Sequence, residues 1–295
     1  MDNIMNQGII IKGIGSFYYI MDDATGEIIQ CRLKGIFRSQ KIVPMVGDCV
    51  LYDNDDLGDG IVTKILPRKS TLSRPMVANA TQGVIVCALK SPDISTILLD
   101  KMLINNAASG LNSVICFNKS DLADASEKEL LQLMYEKCGA RLIFTSAVDK
   151  SGLLELSSLM KDRISVFSGV SGAGKSSLLK EFIINSDIEI GAISEKSNRG
   201  KHTTRHSELM ILPGGGYIMD TPGFSDLELQ LEPNTLWKYY PEFYPFSDCK
   251  YTDCLHLHEP GCHVKDAVER KEIPSERYNN YKKIYEETNK NFHKY

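Results

Sequence analysis

The run Gly169-Val170-Ser171-Gly172-Ala173-Gly174-Lys175-Ser176, continued by Ser177, constrains this chain more than any other feature. It fits G-x-x-x-x-G-K-[ST], a pattern with mechanical meaning only between a strand and a helix. ISVFSG leads into it and SLLKEF leaves it, so the sequence predicts strand, loop and helix in that order. Glycines in such a loop let backbone N–H groups face phosphate oxygens, and the helix N-terminus adds positive potential. Lys175 would neutralise β- and γ-phosphate charge, and the Ser176 hydroxyl would reach Mg²⁺. The motif specifies a nucleoside triphosphate without naming its base.

The base is named upstream. Asn118-Lys119-Ser120-Asp121 ends the predicted strand SVICF and has the form N-K-x-D. Guanine presents two donors on one edge, N1–H and the 2-amino group, and one carboxylate at Asp121 can accept both; adenine presents an acceptor at N1 and is repelled. Asn118 would touch the N7/O6 side, and the Lys119 stem would cover the ring. Thr145-Ser146-Ala147, after the next strand, adds a loop that can offer a backbone N–H to guanine O6. Asp220-Thr221-Pro222-Gly223 closes a further strand, GYIM, where Asp220 would hold Mg²⁺ through water and the Gly223 N–H would meet the γ-phosphate. Motifs at the carboxyl ends of several predicted strands converge on GTP.

Apolar runs at 83–89, 113–119, 141–147 and 164–170 alternate with helical segments near 94–108, 126–138 and 152–163 and after Ser176, the signature of an α/β fold with a parallel sheet covered on both faces. HSELMIL and GYIMD read as an antiparallel addition. Ras-like GTPases place the phosphate loop first; here the base-reading motif precedes it, so the domain reads as circularly permuted, which compact domains with neighbouring termini tolerate. The D-x-x-G switch then leads directly into the C-terminal segment. Residues 8–66 read as short strands separated by turns rich in Asp and Gly, a small antiparallel barrel of either OB or SH3-like type. The expected domains are 1–68, a barrel, 72–230, a permuted P-loop domain, and 231–295, a Cys/His-rich segment with a helical tail. No apolar run approaches the roughly 20 residues that cross a bilayer, and the first residues lack a signal-peptide plan, so a cytoplasmic protein with no membrane partner is expected.

In that compartment the eight cysteines do not form a disulfide framework, yet three crowd into positions 249–262. Cys249, Cys254 and Cys262 with His256 would make a Cys₃His set, a closed tetrahedral zinc site of structural purpose, with His258 and His263 as competing ligands. Tyr278, Tyr281 and Tyr285 fall at helical spacing and read as a stripe packing on a neighbouring domain in preference to a base-stacking platform. Lys196, Arg199, Lys201 and Arg205 form a run without a carboxylate, either an RNA phosphate contact or a solvated loop.

The permuted motif order, the preceding barrel, Gly200-Lys201-His202-Thr203-Thr204 and the following Cys/His cluster together resemble the ribosome small subunit-dependent GTPase A (RsgA) family over essentially the whole chain. The resemblance implies an OB-fold, a permuted GTPase domain and a zinc domain acting late in 30S maturation, with GTP hydrolysis to GDP stimulated by that subunit. It implies the 30S subunit and its 16S rRNA as partners of a monomeric chain, Mg²⁺ with GTP, and one structural Zn²⁺ with His256 as the imidazole ligand. It places Thr203 and Thr204 in the first switch, Thr204 being the slightly preferred Mg²⁺ ligand. Ras-type enzymes carry Gln after D-x-x-G to orient water; Phe224 stands here and cannot, so slow intrinsic turnover is expected, with His202 as an internal candidate. Two other readings compete: a nucleotide-gated rRNA-binding checkpoint factor with incidental hydrolysis, and a metabolic P-loop kinase, which has no need of N-K-x-D.

Overall fold

The computed structural model describes residues 6–35, 37, 42–54, 60–73, 75–184, 208–221 and 227–292. Two compact units emerge, one of Met1–Thr81, Ser157–Val166 and Lys180–Thr221, the other of Gln82–Leu156, Phe167–Leu179 and Pro222–Tyr295.

In the first unit, β1 (Asn6–Ile14), β2 (Phe17–Asp22), β3 (Ile28–Leu33), β4 (Cys49–Asn54) and β5 (Gly60–Ile65) close into a barrel in the order β1-β2-β3-β5-β4. Ile10, Ile20, Cys31, Val50, Tyr52 and Val62 point inward and are essentially sealed from water. Register shifts between Ile10 and Lys12 and between Leu51 and Tyr52 supply the bends that closure needs. The expectation of an all-antiparallel barrel is corrected here: β3 and β5 run parallel, with Cys31 opposite Gly60 and Leu33 opposite Val62. The physical reason is that β4 pairs antiparallel with β1, so that β5, antiparallel to β4, lies beside β3 in the same direction. A short hairpin, β6 (Thr71–Ser73) with β7 (Met76–Ala78), follows; three-residue strands are too short to show a period in sequence.

The second unit is built on β8 (Gln82–Ala88), β9 (Asn112–Asn118) and β10 (Arg141–Phe144), parallel and with β9 between the other two. β8 is buried along its whole length, which explains its unbroken apolar reading. β11 (Ile164–Gly169) lies next to β8 and runs through both units; in the first unit it is followed outward by β13 (Tyr217–Asp220) and then β12 (Leu209–Ile211), which pair antiparallel. The helices are α1 (Thr96–Ala108), α2 (Ala125–Tyr135), α3 (Leu153–Met160) and α4 (Lys175–Ile184). α2 starts on a reciprocal cap in which the Asp124 carboxylate accepts the Glu127 N–H and the Glu127 carboxylate accepts the Asp124 N–H.

The C-terminal segment folds within the second unit as two 3₁₀ turns opened by Pro233 and Pro241, then α5 (His263–Glu269) and α6 (Ser275–Phe292). Tyr278 and Tyr281 of α6 pack with Leu236, Tyr240, Phe243 and Ile104 of α1 in one core. The tyrosine stripe is thus packing surface, and Tyr281, at 0% exposure, has no face free for a base. Among the described residues no helix is long and apolar enough to cross a membrane.

Candidate guanine-nucleotide and metal sites

Three loops of the second unit meet at the carboxyl ends of β9, β10 and β11. β9 ends at Asn118, Lys119 follows in left-handed backbone, and Ser120–Leu122 forms a 3₁₀ turn. Asn118 is 1% exposed, and its amide is committed on both sides: Nδ2 donates to the Ala173 carbonyl at 2.8 Å, and Oδ1 accepts from Thr145 Oγ1 at 3.2 Å. Sequence reading aimed this side chain at the base; the structure gives it the further task of tying the base-reading loop to the phosphate loop. The same closeness fixes Gly174, which has φ +86°, and where an added Cβ would lie 2.3 Å from Asn118 Nδ2. Any larger residue would push the two loops apart.

The loop after β10 is bound in by backbone. Ser120 N–H donates to the Thr145 carbonyl at 3.0 Å, and Thr145 N–H to Phe117 at 2.9 Å. Ser146 is fully buried, its hydroxyl accepting the N–H groups of Val148 and Asp149, and Ala147 is half-buried beside it. Asp121 is exposed, and no hydrogen bond or ion pair engages its carboxylate among the described residues. A charged acceptor held on a short turn beside rigid loops is available to a ligand with paired donors.

After β11, Gly169 is buried, Val170 half-buried and Ala173 buried, while Ser171 and Gly172 are open to solvent. α4 begins at Lys175, whose side chain is 9% exposed; Ser176 and Ser177 stand exposed in its first turn, where backbone N–H groups have no helical acceptor. In the first unit, Asp220 ends β13 exposed and Thr221 is buried. Gly223, Thr203, Thr204, His202, Phe224 and the basic run Lys196 to Arg205 lie outside the described residues.

The metal cluster is fully described. The donor atoms of Cys249, Cys254, His256 and Cys262 all lie within 4.8 Å of one another. His256 Nδ1 is 3.6, 3.5 and 3.4 Å from the sulfurs of Cys249, Cys254 and Cys262, and Cys249 Sγ is 3.9 Å from Cys262 Sγ. A tetrahedral ion with metal–sulfur bonds of about 2.3 Å and metal–nitrogen bonds of about 2.0 Å has S···S edges of about 3.8 Å and S···N edges of about 3.5 Å. The donor set fits such an ion, and His258 and His263 are not in it; His263 instead meets Asp248. Burial pushes the Cys254 thiol up to about 12 and raises Cys262, so an ion that binds here must displace protons.

Sequence reading missed the groups that shape this loop. Glu259 accepts N–H groups from Leu255, Leu257 and His258 at 2.9, 2.9 and 3.1 Å. Burial pushes its carboxyl up, but those bonds outweigh it and hold the group below the usual range. Tyr278 OH donates to the His256 carbonyl at 2.8 Å, and Tyr281 OH to that of Leu255. The helical spacing of the tyrosines was visible; that two hydroxyls would brace a metal loop was not.

A parallel sheet with a base-reading loop, a second base loop and then a phosphate loop at its strand ends, in that chain order, defines a circularly permuted P-loop nucleotide-binding protein. Comparison with known proteins gives the family. The RsgA GTPase family matches residues 65–230, and the RsgA N-terminal domain matches residues 7–62. A Clostridium botulinum protein named small ribosomal subunit biogenesis GTPase RsgA is 44% identical over 283 residues, 95% of this chain and 97% of that protein. Its namesake from Ruminiclostridium cellulolyticum is 43% identical over 286 residues, 95% and 93% of the two chains. Among solved structures, YjeQ from Thermotoga maritima superposes with a TM-score of 0.82 at 36% identity, covering 97% of this chain and 99% of its own. YloQ, described as a circularly permuted GTPase, gives 0.82 and 36% with 98% and 96% coverage. The chain belongs to the RsgA GTPase family.

Proposed function

We propose that this chain hydrolyses GTP to GDP and phosphate in late maturation of the small ribosomal subunit, with the 30S particle stimulating the reaction. The observation that carries the reading is the buried Asn118 amide, which locks the base-reading loop, the Thr145 loop and the phosphate loop into one unit. In that unit Asp121 reads the guanine edge, Lys119 covers the ring, and Ser146 and Ala147 line O6. The backbone from Gly169 to Ser177 holds the phosphates, Lys175 neutralises them, and Ser176 with Asp220 and Thr204 holds Mg²⁺; Gly223 senses the γ-phosphate. Phe224 has no group to orient water, so the subunit completes the catalytic arrangement. Multiple-turnover assays test this: 30S subunits are expected to raise wild-type GTP turnover, and Ser176→Ala to lower it by roughly 10-fold or more through weaker metal binding. Unstimulated wild-type turnover would favour a checkpoint factor with incidental hydrolysis.

We assign 1–68 to an rRNA-contacting barrel, 72–230 to the GTPase domain and 231–295 to a metal-stabilised domain, in a monomeric cytoplasmic protein. The barrel's charge supports 16S rRNA as the contact. Its register puts Asp22, Asp23 and Glu27 at one end of the β1-β2-β3 meander, whereas Arg32 and Lys34 lie at the other beside the Gly15-Ser16 turn. There a groove of ≈ 640 Å³ is lined by Phe17, Tyr18, Arg32 and Pro44, with the Arg32 guanidinium 4.9 Å from the Phe17 ring centre, a surface suited to phosphate and base together.

Zinc is the metal the donor set favours, because three thiolates and one imidazole in a closed tetrahedron suit a structural ion. Trp237, the single tryptophan of the chain, has its ring 5.3 Å from that of His256, edge to face. Native mass spectrometry is expected to find one zinc per chain. Chelation is expected to change Trp237 emission and lower the unfolding midpoint, and one equivalent of Zn²⁺ to reverse both. Emission indifferent to a chelator that strips the metal would contradict a structural role.

A further inference from the structure

The turn between β8 and α1 touches both halves of the nucleotide pocket, although no motif includes it. Ser91 and Lys119 are non-glycine residues with left-handed backbone, at φ 53° and 58°. Such backbone is disfavoured and persists where its surroundings enforce it. The two strained residues are joined, the Lys119 ammonium donating to the Ser91 carbonyl. Just before the turn, Leu89 N–H donates to the Asn118 carbonyl at 3.0 Å, fixing the turn's start to the base-reading loop. Within it, Pro92 packs on the phosphate loop: a Cβ added to Gly172 would lie 3.4 Å from Pro92 Cδ. Val170 of the same loop shares a small cavity with Asp93, Ile94 and Ser95.

We infer that Ser91 and Pro92 are positioning residues of the nucleotide site: Ser91 anchors the Lys119 ammonium so that its stem forms a fixed wall for the purine, and Pro92 braces the phosphate loop at Gly172. An unanchored lysine stem samples many rotamers, and ordering it would oppose binding; an anchored one has lost that freedom before the ligand arrives. The inference rests on the guanine-nucleotide reading and adds a support that lies outside its motifs.

The test uses the full chain, titrated with fluorescent GDP and IDP. Pro92→Gly and Lys119→Met, which keeps the stem but loses the anchor, are each expected to raise Kd for both ligands about five- to tenfold, the scale of immobilising one long side chain. The GDP-to-IDP ratio should stay at the wild-type value, because Asp121 reads the 2-amino group independently. The double variant is expected to be no weaker than Pro92→Gly alone, since loss of Pro92 frees the turn that carries the Ser91 carbonyl and so removes the anchor as well as the brace. A Pro92→Gly Kd within twofold of wild type, or fully additive effects, overturns the inference. Metal content and unfolding midpoint certify folding, with Pro92→Ala as the replacement if Pro92→Gly does not fold. Wild type binding ADP as tightly as GDP would instead sink the base reading itself, whatever Pro92 does.

Discussion

An Asp121→Asn variant is expected to bind GDP about 100-fold more weakly than wild type and to bind xanthosine diphosphate more tightly than it binds GDP. The Asp121 carboxylate is exposed on a short turn whose neighbours Asn118 and Ser120 are buried, so its position is set by the loop and not by a protein partner. Guanine offers it two N–H groups, and hydrogen bonds to a charged acceptor are worth roughly 1.5–3 kcal/mol each. An amide keeps one acceptor for N1–H but turns an N–H toward the 2-amino group, donor against donor. Xanthine has a carbonyl oxygen at that position and restores the match. Calorimetric titration of both diphosphates decides the matter, since a lost fold would abolish both affinities while the base reading predicts their inversion. Equal loss for the two bases, or none, would remove Asp121 from the reader's role.

What could be read in the sequence was whatever depends on residue type at short spacing. The glycines and Lys175 of the phosphate loop, N-K-x-D, and three cysteines within one short segment announce chemistry because few other residues could perform it. The strands of the barrel were legible from the Asp- and Gly-rich turns between them, but the direction of its closing pair was not: a strand's own residues are the same for parallel and antiparallel neighbours. The Asn118 amide illustrates a different limit. Its type fitted a contact to the base, and nothing local could reveal that Ala173 and Thr145 would take both of its polar atoms. Glu259 is similar, a carboxylate in a loop with no period, whose partners are backbone N–H groups that every sequence supplies. The Ser91-Pro92 turn has ordinary turn composition, and only the folded chain shows which side chain it holds.

The largest stability effect is expected from a residue the sequence left unmarked, Arg277. It lies on α6, in a helical tail rich in charged residues, yet it is 1% exposed. Its Nε donates to Glu242 at 2.7 Å and its Nη1 to Asp100, which also accepts from Asn280 at 3.0 Å. Its guanidinium stands 5.1 Å from the Tyr135 ring centre and 4.7 Å from that of Tyr240. Asp100 precedes it by 177 positions, so no local pattern pairs them. Removing one partner of a buried pair leaves the others charged and dry, and typically destabilises by about 3–5 kcal/mol. Arg277→Ala is therefore expected to lower the chain's unfolding free energy by about that much. A pH signature separates this from simple loss of packing. Burial already pushes Asp100 up to about 6 against the pull of Arg277. Without the guanidinium it rises further, and the folded state then holds a proton that the unfolded state has released. Stability falls with pH wherever the folded state binds more protons, so the deficit of Arg277→Ala should grow from pH 6 to pH 8. Adding Asp100→Asn to Arg277→Ala removes one of the carboxylates left without the guanidinium and should reduce that slope. Denaturant unfolding at several pH values, with intrinsic fluorescence and metal content as probes, measures both quantities. A deficit independent of pH would mean that Arg277 acts through its packing between the two tyrosine rings and not through its charge.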